Sequence, residues 1–144
     1  MSDSVVDTSF IAMANEELAE VGQNELLHRR ISAIGNIVDG KDRLRVNPKL
    51  LKEYEPHIRE RRNDIVDQFV ALLDAPETIK LSSSSLRKAD NVRANDCRWP
   101  THDKHLLAAA MGGEAVTIHV TENALALCAR DVRRVFGFKV NHVA

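Results

Sequence analysis

Four acidic positions, scattered from the start of the chain to its last third, carry the residue types for chemistry. Asp7 directly follows the β-branched run Ser4-Val5-Val6. Glu53 lies in Pro48-Lys49-Leu50-Leu51-Lys52-Glu53-Tyr54, and Asp103 follows Pro100-Thr101-His102. Glu122-Asn123 follow Val116-Thr117-Ile118-His119-Val120 and Thr121. Taken singly, each has a plain role: Asp7 as a helix cap or turn residue, Asp103 as the complement of a helix N-terminus, Glu53 as a surface charge. If they meet, their charges repel and cannot all stay ionised without a counterion. Mg²⁺ and Mn²⁺ favour carboxylate and water oxygens and keep several waters. An ion held this way can activate a water and neutralise a phosphodiester in its transition state. Asp7 and Asp103 are then expected as direct ligands. Glu53 is expected to bind metal or to orient the attacking water. Thr8 and Thr121 are expected as supporting hydroxyls, with capping of the next helix the plain role of Thr121.

The elements that must position these acids alternate in type. Ser4–Val6 reads as a buried first strand. Asn15 to about Val38 has helical spacing through Leu18, Val21, Leu26, Leu27, Ile31, Ile34, Ile37 and Val38, with Glu16, Glu17 and Glu20 at its start and Gly40 as its end. Leu44–Val46 reads as a short strand. Asn47-Pro48 opens a helix, Asn as cap and Pro at the first helical position. Pro56 breaks or restarts it, and a second helix is expected from His57 to Leu73. Thr78–Leu81 reads as an edge strand. Ser82–Pro100 is irregular and polar, with a short helix around Leu86–Val92. Thr101 is expected to cap the Leu106–Met111 helix, which Gly112-Gly113 ends. Val116–Val120 is a strand, Glu122–Val135 a helix, and Phe138–Val143 a last strand. Alternation of this kind implies right-handed crossovers and a mainly parallel sheet of about five strands, covered on both faces: a three-layer α/β/α fold in a single domain, 1–144. In such sheets ligands bind beyond the carboxyl ends of the strands, where Asp7, Asp103 and Glu122-Asn123 all map.

Composition narrows the class. The chain has 144 residues, 44% hydrophobic and 28% charged, as in ordinary globular proteins and unlike disordered or fibrous ones. Lys plus Arg is 20 and Asp plus Glu is 21, a net charge of −1, so no bulk field draws the protein to a polyanion; a local patch or a metal ion must do so. Two cysteines, Cys97 and Cys128, are too few for a disulfide scaffold and fit reduced thiols in a cytoplasmic protein. The amino terminus has neither the basic start nor the apolar run of a signal peptide. No apolar run approaches the ~20 residues that span a bilayer, so no membrane partner is expected.

The motifs in series resemble the PIN-domain nucleases. Val5-Val6-Asp7-Thr8-Ser9-Phe10-Ile11 is similar to the family's opening strand and its Asp-Thr/Ser-Ser/Asn. Leu51-Lys52-Glu53-Tyr54 is similar to its Leu-x-Glu-Tyr segment. His102-Asp103-Lys104-His105-Leu106-Leu107-Ala108-Ala109-Ala110 resembles the third segment, an Asp opening an alanine-rich helix. Val120-Thr121-Glu122-Asn123 resembles Val-Thr-x-Asp, and Gly137-Phe138-Lys139-Val140 the Gly-x-x-Val entry to the last strand. The resemblance implies a metal-dependent endoribonuclease with Asp7, Glu53 and Asp103 as its acidic core and Mg²⁺ or Mn²⁺ as cofactor. It also implies RNA as substrate, and for stand-alone members of this length a toxin of a toxin–antitoxin pair, with a homodimer and an antitoxin protein as partners. Two departures stand out. Asn123 occupies the fourth acidic position, where Glu122 beside it is the substitute, and the stretch 63–100 is longer and more polar than in compact toxins.

Further residues have two readings each. Arg59, Arg61 and Arg62, and separately Arg87, Lys88, Arg93 and Arg98, are RNA-phosphate contacts or solvated faces. Trp99 is a base-stacking platform or a buried loop anchor. His102 and His105 have zinc-compatible spacing but lack a third soft ligand in sequence. Two functions of other classes compete with the nuclease. One is a PIN-like binding or assembly module without catalysis, which Asn123 favours. The other is a phosphoaspartyl hydrolase with Asp7 as nucleophile, which would want Asp-x-Asp where the chain has Asp7-Thr8-Ser9.

Overall fold

The computed structural model describes residues 2–17 and 24–144. Five parallel strands form one sheet in the order β3-β2-β1-β4-β5: β1 (Ser2–Val6), β2 (Asp42–Val46), β3 (Ile79–Lys80), β4 (Thr117–Val120) and β5 (Lys139–His142). The helices between them, in chain order, are α1 (Thr8–Ala14), α2 (Glu25–Val38), α3 (Pro48–Tyr54), α4 (Asp64–Leu72), α5 (Lys88–Asp96), α6 (Lys104–Ala110), α7 (Asn123–Ala126) and α8 (Ala129–Phe136). This is the expected α/β class, with a sheet that is wholly parallel. Among the described residues no helix is long and apolar enough to cross a membrane.

Strand β1 pairs with β2 on one side and β4 on the other, which explains its composition: Val5 and Val6 are fully buried, as a central parallel strand requires. Helix α6 packs on β1 and β2, α2 on β2, α1 on β4, and α7 and α8 on β5. The run of alanines in α6, all buried, lets that helix approach the sheet closely. Apolar side chains from all these elements join in one core. At the amino edge of the sheet Asp3, wholly buried, accepts from Arg43 Nε (2.9 Å), Arg45 Nη1 (3.2 Å) and the Glu114 amide (3.1 Å), so its charge is paired and hydrogen-bonded. Arg45 also donates to the Ala109 and Met111 carbonyls at the end of α6.

Several sequence expectations need correction. The helix expected from Asn15 is not helical at residues 15–17, and a helix with the Asn24 side chain accepting from the Leu27 amide runs over Glu25–Val38; Leu18, Val21 and Glu20 lie outside the described residues. The helix expected from His57 begins at Asp64. A 3₁₀ turn (Glu55–His57) and irregular chain precede it, because Asn63 caps α4 by accepting from the Val66 amide while its Nδ2 donates to the Ala14 and Glu16 carbonyls. Thr101 caps nothing: Thr101–Asp103 is a 3₁₀ turn leading into α6. The 122–135 helix is two helices, α7 and α8. Asn47 caps α3 as expected, accepting from the Leu50 amide at 3.1 Å. Gly137 ends α8 at φ +78°, a conformation in which glycine avoids the steric cost of a side chain.

Candidate metal centre

The parallel order fixes where the acids go. Asp7 follows the last residue of β1, Thr121 and Glu122 follow β4, and Asn47, at the end of β2, starts the helix that carries Glu53. All are at the carboxyl edge of the sheet. The fold also brings Asp103 there, through the 3₁₀ turn before α6.

Asp7 is 5% exposed and is the N-cap of α1: its Oδ1 accepts from the Thr8 amide (2.8 Å) and its Oδ2 from Ser9 Oγ (3.1 Å). The hydroxyl of Thr8 donates to Glu53 Oε2 at 3.3 Å, so Asp7 and Glu53 stand one residue apart across a single threonine. Ser9 Oγ lies 2.6 Å from Thr121 Oγ1, which ties the turn after β1 to the turn after β4. Thr8 thus reaches Glu53 directly, and Thr121 reaches Asp7 only through Ser9, which sequence reasoning passed over.

Burial pushes the Asp7 carboxyl up to about 6, and the negative charges of Asp103 and Glu122 add to this against the two hydrogen bonds. Asp103 is also held above the usual carboxylate range, by burial and then by Glu122 and Glu53, with His102 opposing. Asp7, Glu53, Asp103 and Glu122 thus all belong to one electrostatic cluster. Asp103 Oδ2 is buried and accepts no hydrogen bond. His102 Nε2 is 3.2 Å from it, outside hydrogen-bonding geometry. Tyr54, wholly buried beneath the cluster, donates its hydroxyl to the Val6 carbonyl, and the charges of Asp7 and Glu53 add to the burial that keeps it a neutral phenol.

Among the described residues, His102, Asp103 and Glu122 form a group whose potential ligand atoms all lie within 4.8 Å of one another. Asp7 and Glu53 stand outside that tight group while sharing its field. The charge at the fourth acidic position is that of Glu122, which raises both Asp7 and Asp103; Asn123 is the exposed first residue of α7 and brings none. The third potential ligand beside His102 is brought there only by the fold, because Glu122 is distant along the chain.

His105 is buried with both ring nitrogens unpartnered, its Nε2 3.6 Å from Glu53 Oε1. Burial lowers its basicity, and Glu53 acts against that. Its backbone carbonyl accepts from Asn47 Nδ2 at 2.9 Å, so the cap of α3 also fixes α6, and with them Glu53 and Asp103.

The arginine readings come out unevenly. Arg59 is paired with Glu55 (2.8 Å), Arg61 with Asp67 (3.3 Å) and Arg62 with Glu16 (3.8 Å). Each would have to exchange a carboxylate for a phosphate to touch RNA. In the second cluster Arg93 pairs with Asp90 and lies over the Phe136 ring at 4.7 Å. Trp99 is 2% exposed and donates Nε1–H to the Asp103 carbonyl (2.8 Å), so it anchors the metal-side turn and is not a stacking platform. No family model, curated protein or solved structure matches the chain, and any functional assignment rests on this geometry.

Proposed function

We propose that the protein is a Mg²⁺- or Mn²⁺-dependent endoribonuclease of the PIN-domain kind, hydrolysing RNA phosphodiester bonds. One observation carries the reading: acids from four distant segments share the carboxyl edge of a parallel sheet, and burial, with their mutual repulsion adding to it, raises Asp7 to about 6 and Asp103 above the usual carboxylate range. The residues present fit a divalent cation. The donors are carboxylate oxygens, and Asp103 Oδ2 is buried with no hydrogen-bond partner in the protein. Asp103 and Glu122 are the acids close enough to hold it together, with Asp7 and Glu53 outside that tight group and in the same field. When bound, such an ion supplies a more acidic water and positive charge at a phosphodiester.

The chain's own groups do the rest. At neutral pH the ionised forms of Asp7 and Asp103 are costly without a cation, so the site is charged toward binding one. Thr8, Ser9 and Thr121 keep Asp7 and Glu53 in one orientation before substrate arrives. Glu53, about a third exposed with one oxygen on Thr8 and the other facing His105, is placed to orient a water at the edge of the site. A homodimer, an antitoxin partner and a cytoplasmic setting belong to the same proposal.

Cleavage of a structured RNA in Mn²⁺, with and without chelator, tests it. Metal-dependent cleavage that Asp7→Asn and Asp103→Asn each abolish supports the reading, and cleavage unchanged by both substitutions removes it. A second reading, a PIN-like binding or assembly module without catalysis, is favoured by Asn123, an amide where the family it resembles has an acid. RNA binding without cleavage in Mn²⁺ would select that reading.

A further inference from the structure

We infer that His102 is itself a metal ligand, and that His102, Asp103 and Glu122 form a mixed nitrogen–oxygen face that prefers Mn²⁺, Co²⁺ or Zn²⁺ to Mg²⁺. The inference deepens the metal-binding half of the proposed function and does not need the nuclease half.

Spacing supports it first. His102 Nε2 and Asp103 Oδ2 are 3.2 Å apart. Two donors bonded to one ion at about 2.1 Å lie about 3.0 Å apart at cis octahedral positions and about 3.4 Å apart at tetrahedral ones. The observed separation falls between those values. The Glu122 oxygen completes a trio within 4.8 Å, and its exposed side chain has room to close the remainder.

Geometry then separates a ligand pair from an ion pair. If His102 were simply a cation on Asp103, its N–H would point at the carboxylate. It does not, and Asp103 Oδ2 is left without a hydrogen bond although its side chain is more than nine-tenths buried. A buried, unpartnered carboxylate oxygen is costly unless something positive meets it. The two atoms sit side by side, as two donors facing one ion do.

The turn that carries them is held at several points. Trp99 Nε1–H donates to the Asp103 carbonyl (2.8 Å), and Lys49 Nζ to the His102 carbonyl (3.4 Å). His102 is 75% exposed and Glu122 is exposed, so the outer side stays open to waters or a substrate oxygen, as a site with a vacant coordination position needs. An imidazole nitrogen suits Co²⁺ and Zn²⁺ and is accepted by Mn²⁺ in a mixed set of nitrogen and oxygen donors, whereas Mg²⁺ favours oxygen and sheds water reluctantly.

The test uses the purified full chain and the metal alone. Electron spin-echo modulation of the Mn²⁺-loaded protein reads directly whether a nitrogen is bound. Wild type is expected to show ¹⁴N coupling, and both His102→Ala and His102→Gln to lose it. Calorimetry is expected to show Mn²⁺ affinity falling at least about tenfold in those variants, no less than the loss of an outer partner costs, with Mg²⁺ affinity unchanged. His102 is at the surface, so both variants should fold. Coupling absent from wild type, coupling that survives in both variants, or no Mn²⁺ binding at all overturns the inference. Nitrogen-bound Mn²⁺ without RNA cleavage would uphold it while removing the nuclease reading, and cleavage with all-oxygen Mn²⁺ would do the reverse.

Discussion

Replacing Asp7 by Asn removes a charge from a place where the metal-free protein holds it at a cost. The Asp7 carboxyl moves from an ordinary 3.8 to about 6 in the fold, with burial as the main cause. Each unit is worth about 1.4 kcal/mol, so the ceiling is roughly 3 kcal/mol at neutral pH. The sign follows from proton binding. A carboxyl that holds its proton more tightly folded than unfolded costs nothing below about pH 3, where both states are protonated. The cost grows as pH rises to about 6 and is then fully present. Asn keeps the acceptor oxygen that caps α1 through the Thr8 amide and does not titrate. Urea denaturation in chelator should therefore find Asp7→Asn more stable than wild type by about 1–3 kcal/mol at pH 7.5, with the gain falling as pH drops and essentially gone at about pH 3. With Mn²⁺ added the order should reverse, because wild type gains about 2.7 kcal/mol at a hundredfold excess over Kd and the variant gains little. An Asp7→Asn protein less stable than wild type at pH 7.5 in chelator, or a difference independent of pH, would refute the electrostatic account of the site.

Other substitutions probe the supports. Ser9→Ala removes the hydroxyl that lowers Asp7, so the pH at which Mn²⁺ affinity is half lost should rise above about 6, while affinities at pH 8 and above converge with wild type; an unmoved midpoint in a pH series of titrations would contradict this. Tyr54→Phe leaves the buried Val6 carbonyl without the phenol and should cost about 1–3 kcal/mol in urea denaturation at every pH below the tyrosine's ionisation. Gly113→Ala would put a Cβ 2.5 Å from Val116 Cγ2 and 3.0 Å from both the Ala110 carbonyl oxygen and Arg45 Cζ, so it should cost about 1–3 kcal/mol by displacing the Arg45 anchor; thermal melts equal to wild type would show that this corner yields freely.

Where the sequence was readable, the signal was local. Asn47-Pro48 announced α3 because a cap and a fixed φ act within one turn, and Gly40, at φ +81° just past Val38, announced the end of α2 for the same reason. The alternation of apolar runs placed all five strands and with them the edge that Asp7 and Glu122 share. What misled was long-range. The spacing of Ile58, Ile65 and Val66 reads as one helix, yet Asn15 Nδ2 donates to the His57 and Glu60 carbonyls, its Oδ1 accepts from the Arg62 amide, and Asn63 starts α4 anew. Those bonds join residues nearly fifty positions apart, beyond any periodicity. Whether Glu122 or Asn123 fills the fourth acidic position could not be read from the sequence, because which of two adjacent side chains faces the site depends on the turn after β4, where residue 122 is extended (φ −84°, ψ 135°) at the head of α7. Likewise, the nearness of His102 to Glu122 was not legible in sequence, because Glu122 arrives from a different crossover.

The account stands on one cation at the carboxyl edge of the sheet, held by Asp103 with its acidic neighbours. The direct test is the anomalous signal of crystals grown with Mn²⁺ near neutral pH. The expected map has its strongest peak at the carboxyl edge of the sheet, within bonding distance of Asp103 and at least one of Asp7 and Glu122. A map with no peak there at millimolar Mn²⁺, while these side chains keep the positions described, would contradict it.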